Sequence, residues 1–321
     1  MIILRKMRIA IILLIITLIT LSGCQTKDAH YPNITFNQFE KNDMLVNFYL
    51  LPGQNSKTLY IFLDGTSKQS VLGIQKNGSW TTLGIPYFLR KLLPLDADLL
   101  VPEKINLEPG EEVSTNRLAI KEDTLKNKLL LYTPILDRYI TRNSNYAHIY
   151  LLGYSEGGFL IPKLYTQLKN KQHISGIILC GSGGLSDYET LKIQQASTQN
   201  FTPEYKANLK ELDRAVRKIK LRPTLTDHYY FGWTYAKWAD YLSYRPIQDL
   251  VKISIPILVI HGDQDLNIPV ESSRYIQRAF QKNKKTNLTY IELPNSNHIF
   301  NAQFDTIIDE IQHWTDEINK E

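Results

Sequence analysis

Cysteine is almost absent from this sequence. Cys24 and Cys180 are the only two in 321 residues, too few for a disulfide framework, and a chain of this length buries enough apolar surface without one. An excess of charge is missing as well. The 37 lysines and arginines stand against 32 aspartates and glutamates, with no long block of one sign, so the chain carries no electrostatic footprint for nucleic acid. Histidines and carboxylates do not cluster at metal-ligand spacing, and no motif calls for a metal or a cofactor. Internal repeats and low-complexity blocks are lacking. Only one long stretch is uncharged and mainly apolar, and it lies at the start.

That stretch has the order of an export signal. Arg5, Lys6 and Arg8 form a positive segment, and an uncharged run follows from Ile9 to about Leu21. The run is short of the about 20 apolar residues that a bilayer span needs, and it fits the apolar region of a signal peptide. It ends in Leu21-Ser22-Gly23-Cys24, which resembles the lipobox of bacterial lipoproteins. The resemblance implies cleavage before Cys24, a diacylglycerol on its sulfur, and a membrane-anchored exported protein. Residues 1–23 would be the signal peptide and 24–33 a polar tether. Gln25 is not the acidic residue that in some bacteria retains lipoproteins in the inner membrane, which points to the outer membrane where the organism has one. Removing three of the 37 basic residues and no acidic one leaves 34 against 32. Lipidation of Cys24 would leave Cys180 without a partner. Following Ile177-Ile178-Leu179, Cys180 reads as a buried thiol at a strand end.

From residue 34 to 321 the pattern is one of alternating strands and helices. Extended runs at 44–51 and 58–63 flank Pro52-Gly53 and are expected to pair as a hairpin. Further strands are expected at 98–101, 147–152, 174–180, 255–260 and 288–293. Helices are expected at 86–93, 122–140, 159–168, 272–281 and 304–318, the second carrying Leu125, Leu129, Tyr132, Leu136 and Ile140 at helical spacing. Such alternation predicts an α/β domain: a mainly parallel central sheet with helices on both faces and an antiparallel edge. Residues 185–250 break the rhythm with helical, aromatic-rich sequence and read as a mostly helical cap insertion. The aromatics there serve either an apolar or ring-bearing substrate or the packing of the cap on the sheet. The long loop after Asp64, through Trp80 to Ile85, is expected to shape a cleft.

Gly153-Tyr154-Ser155-Glu156-Gly157-Gly158 stands between the apolar run Ile149-Tyr150-Leu151-Leu152 and the helical Phe159-Leu160-Ile161. A sharp strand-to-helix turn exposes a serine hydroxyl and aims backbone N–H groups at a reacting carbonyl, which is what a nucleophilic serine needs. Glycines flank it because strand and helix cross closely there.

These features resemble the α/β-hydrolase family over nearly the whole of residues 34–321. In that family an acid and then a histidine follow the serine. Ile257-Leu258-Val259-Ile260-His261-Gly262-Asp263-Gln264-Asp265 looks like the strand-end acid motif. By position the acid is Asp265, with Asp263 as its rival and His261 as a structural residue. His298, in Pro294-Asn295-Ser296-Asn297-His298, stands where the family carries its base. The resemblance implies Ser155 as nucleophile, His298 as proton carrier and Asp265 as its orienting acid. It implies an oxyanion hole from the backbone N–H groups of Glu156 and Thr66. The family usually shows His-Gly where this chain has Asp64-Gly65.

The activity implied is hydrolysis of a carboxylic ester of a small acyl substrate through an acyl-enzyme. A peptidase or thioesterase on the same fold is the neighbouring alternative, and a non-catalytic surface lipoprotein the distant one. An acidic anchor for a free amine, such as Glu156, would favour the peptidase. Aspartate at the nucleophile position would mark a dehalogenase, and Ser155 argues against it.

Overall fold

The computed structural model describes residues 34–54, 56–74, 80–82, 84, 89, 97–143, 145–198, 203–300 and 303–320. The expected signal peptide and tether, and most of the helix expected at 86–93, lie outside the described residues. The first element is a hairpin of β1 (Thr35–Lys41) and β2 (Met44–Leu51), paired from Thr35↔Leu50 to Lys41↔Met44. Its turn residues Asn42 and Asp43 both have positive φ, 56° and 59°, as a tight two-residue hairpin turn demands.

The expected pairing of 44–51 with 58–63 is therefore wrong. β3 (Thr58–Leu63) and the short hairpin β4 (Leu72–Ile74) and β5 (Trp80–Thr82) come next, and β6 (Ala97–Pro102) then slots between β2 and β3. Pro52-Gly53 does not turn the chain back. The Gly53 N–H instead donates to the Asp98 carboxylate at 2.6 Å, as the chain passes over β6.

The helix expected at 122–140 is α2 (Leu125–Arg142), and a short helix that was not expected, α1 (Arg117–Glu122), precedes it. Thr124 breaks them apart, since its hydroxyl accepts from the Asn127 N–H at 3.1 Å and caps α2. Then follow β7 (His148–Tyr154), α3 (Glu156–Gln167) and β8 (Gly176–Cys180). The insertion comprises α4 (Asp187–Thr198), α5 (Pro203–Leu221), the hairpin β9 (Tyr229–Tyr230) and β10 (Trp233–Thr234), α6 (Tyr235–Tyr241) and α7 (Ile247–Leu250). The chain closes with β11 (Ile257–Gly262), α8 (Val270–Lys282), β12 (Leu288–Leu293) and α9 (Phe304–Ile318).

Eight strands make one sheet in the order β1-β2-β6-β3-β7-β8-β11-β12. From β6 to β12 every neighbour is parallel. Side chains alternate across a strand, so both faces must be apolar, and they are. Leu59, Ile61, Ile149, Leu151, Ile257 and Val259 pack on one side with α2, α3 and α8. Tyr60, Phe62, Tyr150, Leu152, Leu258 and Ile260 pack on the other with Ile307, Ile308, Ile311 and Trp314 of α9. Full burial of one such aliphatic side chain contributes roughly 1.5–3 kcal/mol. The insertion has a small core of its own, in which Leu212, Val216, Ile219 and Leu242 meet Tyr230 and Trp238. Cys180 is a free, buried thiol, pushed up to about 12 by burial, as its place at the strand end predicts.

Candidate active site

Parallel strands bring their carboxyl ends to one edge of the sheet, where ligand sites of open α/β sheets form. The residues singled out in sequence all follow such ends: Thr66 after β3, Ser155 after β7, Asp265 after β11 and His298 after β12. Ser155 has φ 54° and ψ −117°, a strained conformation for a residue with a side chain. The turn is tight enough that a Cβ on Gly157 would lie 1.9 Å from the Leu63 carbonyl oxygen, and one on Gly153 2.6 Å from the Gly158 nitrogen. Glycine is thus required on both sides of the serine. The Ser155 hydroxyl lies 3.0 Å from Nε2 of His298, and Nδ1 of that ring lies 2.7 Å from the Asp265 carboxylate. Tyr154 steadies the histidine loop, its hydroxyl donating to the His298 carbonyl at 3.0 Å.

Asp265 is fixed on both oxygens. Oδ1 accepts from the N–H groups of Asn267 and Ile268, each at 2.8 Å. Oδ2 faces His298, with Nε2 of the fully buried His261 3.3 Å away. That His261 nitrogen also lies 2.7 Å from the Ile268 carbonyl, to which it donates. Burial alone would raise the Asp265 carboxyl, but the hydrogen bonds from His261 and His298 outweigh it and hold it at about 2. His261 is therefore a structural residue that braces the acid. Asp263 faces elsewhere, accepting the Ser296 N–H at 3.2 Å.

Thr66 and Glu156 are brought together as well. The Thr66 hydroxyl donates to the Glu156 carboxylate at 2.5 Å, tying the loop after β3 to α3. The Glu156 N–H stands in the first turn of α3 and has no acceptor within the helix. Asp64, in the place of the family's histidine, is paired with Lys104 at 3.2 Å.

The Glu156 side chain holds the least expected feature of the site. It is buried with Asp123, Lys128 and Lys237 in a cluster of four charges that sums to zero. Lys128 contacts Glu156 and lies 2.6 Å from Asp123; Lys237 lies 2.6 Å from Asp123 and 3.1 Å from Glu156. Tyr241 donates its hydroxyl to Glu156 as well. Burial would raise the glutamate, yet the two ammonium groups hold it well below the usual carboxylate range. Glu156 is fully engaged by the protein, which removes it as an anchor for a substrate amine. Lys237 and Tyr241 belong to α6, so this cluster clamps the cap onto the turn that carries Ser155. Sequence reading missed it, because its members lie in three separate stretches, at 123–128, 156 and 237.

Ser155 stands between two cavities. One, of about 110 Å³, lies under the cap and is lined by Phe159, Asp187, Trp233, Trp238 and Tyr241 among others. The other is a wider, more open cleft bordered by Asp64, Tyr154, Asn267, His298 and Ile299. The cap aromatics divide accordingly. Trp233, Trp238 and Tyr241 line the smaller cavity, Tyr244 packs edge-on against Phe159 at 5.3 Å, and Tyr229 and Phe231 are exposed. Asp187 was not singled out in sequence. Among the described residues no group of histidine, cysteine, aspartate or glutamate is arranged to hold a metal, and no helix is long and apolar enough to cross a membrane.

Residues 216–320 match the prolyl oligopeptidase family. A 55-residue stretch is 38% identical to Esterase LipC of Mycobacterium tuberculosis, covering 17% of this chain and 14% of that protein. Est1E from Butyrivibrio proteoclasticus superposes with a TM-score of 0.56 at 13% identity, over 89% of this chain and 99% of that one. A soluble variant of monoglyceride lipase from Saccharomyces cerevisiae gives 0.57 at 13% identity, over 92% and 98%. The acylaminoacyl peptidase of Pyrococcus horikoshii gives 0.55 at 11% identity, over 88% of this chain and 40% of that one. The fold is the α/β-hydrolase fold.

Proposed function

We propose that this chain, a serine hydrolase of the α/β-hydrolase fold, cleaves carboxylic esters through an acyl-enzyme on Ser155. The observation that carries this reading is the unbroken relay from the Ser155 hydroxyl through His298 to Asp265. His298 takes the hydroxyl proton as the serine oxygen attacks the ester carbonyl, and Asp265 fixes the ring and stabilises its cation. The N–H groups of Glu156 and Thr66 receive the developing oxyanion. Collapse of the intermediate breaks the ester C–O bond, and His298 returns the proton to the departing alcohol. Water, deprotonated by His298, then releases the acid.

This proton path assigns the two cavities. The leaving oxygen must meet Nε2 of His298, so the alcohol lies in the wider cleft beside that ring and the acyl group in the smaller cavity under the cap. A cavity of about 110 Å³ suits a compact acyl group. The 55-residue match to an esterase supports the ester, while the family match over 216–320 and the likeness to an acylaminoacyl peptidase keep peptidase activity as the second reading.

Fluorophosphonate labelling of the full-length protein in detergent tests the reading. Wild type is expected to label and Ser155→Ala to remain unlabelled while folded. A folded wild type that does not label would move the non-catalytic surface lipoprotein forward. The exported, lipid-anchored location is also part of the proposal, carried by Cys24 and the apolar run before it. Mass spectrometry of Cys24→Ser should show an uncut, unlipidated precursor, and a normally acylated N-terminus in that variant would refute the anchor.

A further inference from the structure

One ionisable side chain in the capped cavity is used neither by the triad nor by the clamp. Asp187 opens α4, but the start of that helix is already served by its neighbours. The Ser186 hydroxyl donates to the Glu189 carboxylate at 2.8 Å, the Ser186 N–H donates to the same oxygen at 3.1 Å, and the Glu189 N–H returns to the hydroxyl at 3.4 Å. That is a reciprocal capping box, and it does not need Asp187. Among the described residues none gives the Asp187 carboxylate a hydrogen bond or an ion pair. Its free surface lines the cavity that also holds Ser155.

The surroundings have no positive charge to spare. Lys128 and Lys237 are matched by Asp123 and Glu156, so Asp187 is left as an unmatched acid. Burial and the neighbouring Glu156 carboxylate push it up to about 7, against a partial pull downward from Lys237. A part-buried carboxylate without a counter-ion is less stable than a paired one, and a cation brought in by a ligand supplies the missing partner. Phe159, Trp238 and Tyr241 line the same cavity, with Phe159 and Tyr241 stacked at 5.2 Å, and give it an apolar wall beside the carboxylate.

We propose that Asp187 is the recognition group of the acyl pocket, binding the primary ammonium of an amino-bearing acyl group while Ser155 attacks that group's ester carbonyl. This rests on the ester-hydrolase reading and adds its substrate class, esters of small amino acids. Glu156, the acid that sequence suggested as an amine anchor, is thereby replaced by Asp187.

Isosteric pairs of benzyl esters test it at pH 7: alanyl against isobutyryl, and β-alanyl against butyryl, with the full-length protein in detergent. The expected result is a kcat/KM preference for the ammonium member of at least one pair of about tenfold or more, the weight of one charge-assisted hydrogen bond. Asp187→Asn and Asp187→Ala, each checked for folding by circular dichroism and fluorophosphonate labelling, are expected to lose that preference. An unchanged ratio in the variants, or no preference in wild type, overturns the proposal. A lactyl ester preferred over the alanyl ester overturns it too, in favour of a neutral hydroxyl ligand. Wild type alone supplies a second reading: butylammonium should compete against butyryl ester hydrolysis more tightly than butanol, and equal inhibition counts against the proposal. Turnover without ammonium preference removes only this inference. Absence of Ser155-dependent turnover of all the esters removes the ester reading and this one with it.

Discussion

Asp263 and Asp265 leave the same strand end two residues apart and do different work. Asp263 holds a backbone N–H of the loop that carries His298, while Asp265 meets the imidazole itself. Replacing Asp265 by Asn keeps the shape but offers the ring a donor where it needs an acceptor, so kcat should fall by ~10⁴-fold, the scale seen when a triad aspartate becomes an amide. Asp263→Asn weakens one backbone contact and should cost roughly 1 kcal/mol of stability, with far less effect on turnover. Measured kcat values in the reverse order would make Asp263 the catalytic acid. These residues were legible in sequence because each sits in a short loop beside a recognisable apolar strand. Asp187 was not, since nothing local marks it: it looks like any acid at a helix start. Only the capping box of Ser186 and Glu189, seen in three dimensions, shows that the helix does not use it.

At the scale of elements, strands and helices were read well where periodicity is local, and misread where pairing is not. β12 and α9 fall where their patterns place them, and the insertion between β8 and β11 is mostly helical as expected. The 44–51 and 98–101 strands were found, but their pairing with each other was not, and β1 was missed. Strand order depends on contacts that no window of sequence contains. The same holds for the clamp between α6 and the nucleophile turn, which joins residues 81 positions apart at Glu156 and Lys237. Its energetics are testable. Lys237→Met leaves Asp123 and Glu156 buried with one ammonium between them and should destabilise the protein by about 3–5 kcal/mol. Adding Asp123→Asn restores neutrality, so the double variant should recover part of that loss in urea unfolding. Strictly additive costs would mean that the four charges do not act as a unit.

For the molecule as a whole, a substrate acid kept without a partner should be a standing burden on folding, and pH exposes it. Below about pH 4 the Asp187 carboxyl is protonated in both folded and unfolded chains. From there to about 7 the unfolded chain releases its proton while the folded chain keeps it, because the folded carboxyl is pushed up to about 7. Stability must therefore fall as pH rises through that window, by about 1.4 kcal/mol per unit at most, and level off above it. The ionisable groups facing Asp187 are Glu156, Lys237 and Tyr241. The glutamate is held well below its usual range and the tyrosine well above its own, so neither changes charge in the window. Asp187→Asn has nothing to titrate there and keeps a group of the same shape. Its melting temperature should match wild type near pH 4.5 and exceed it at pH 8 by on the order of 5 °C, given the slope expected for a domain of this size. A gain that is equal at both pH values would place the effect in packing, and a loss at pH 8 would mean that the acid has a cation partner in the free protein. The expected outcome would make Asp187 a residue that costs stability at neutral pH, which a protein retains where a ligand uses it.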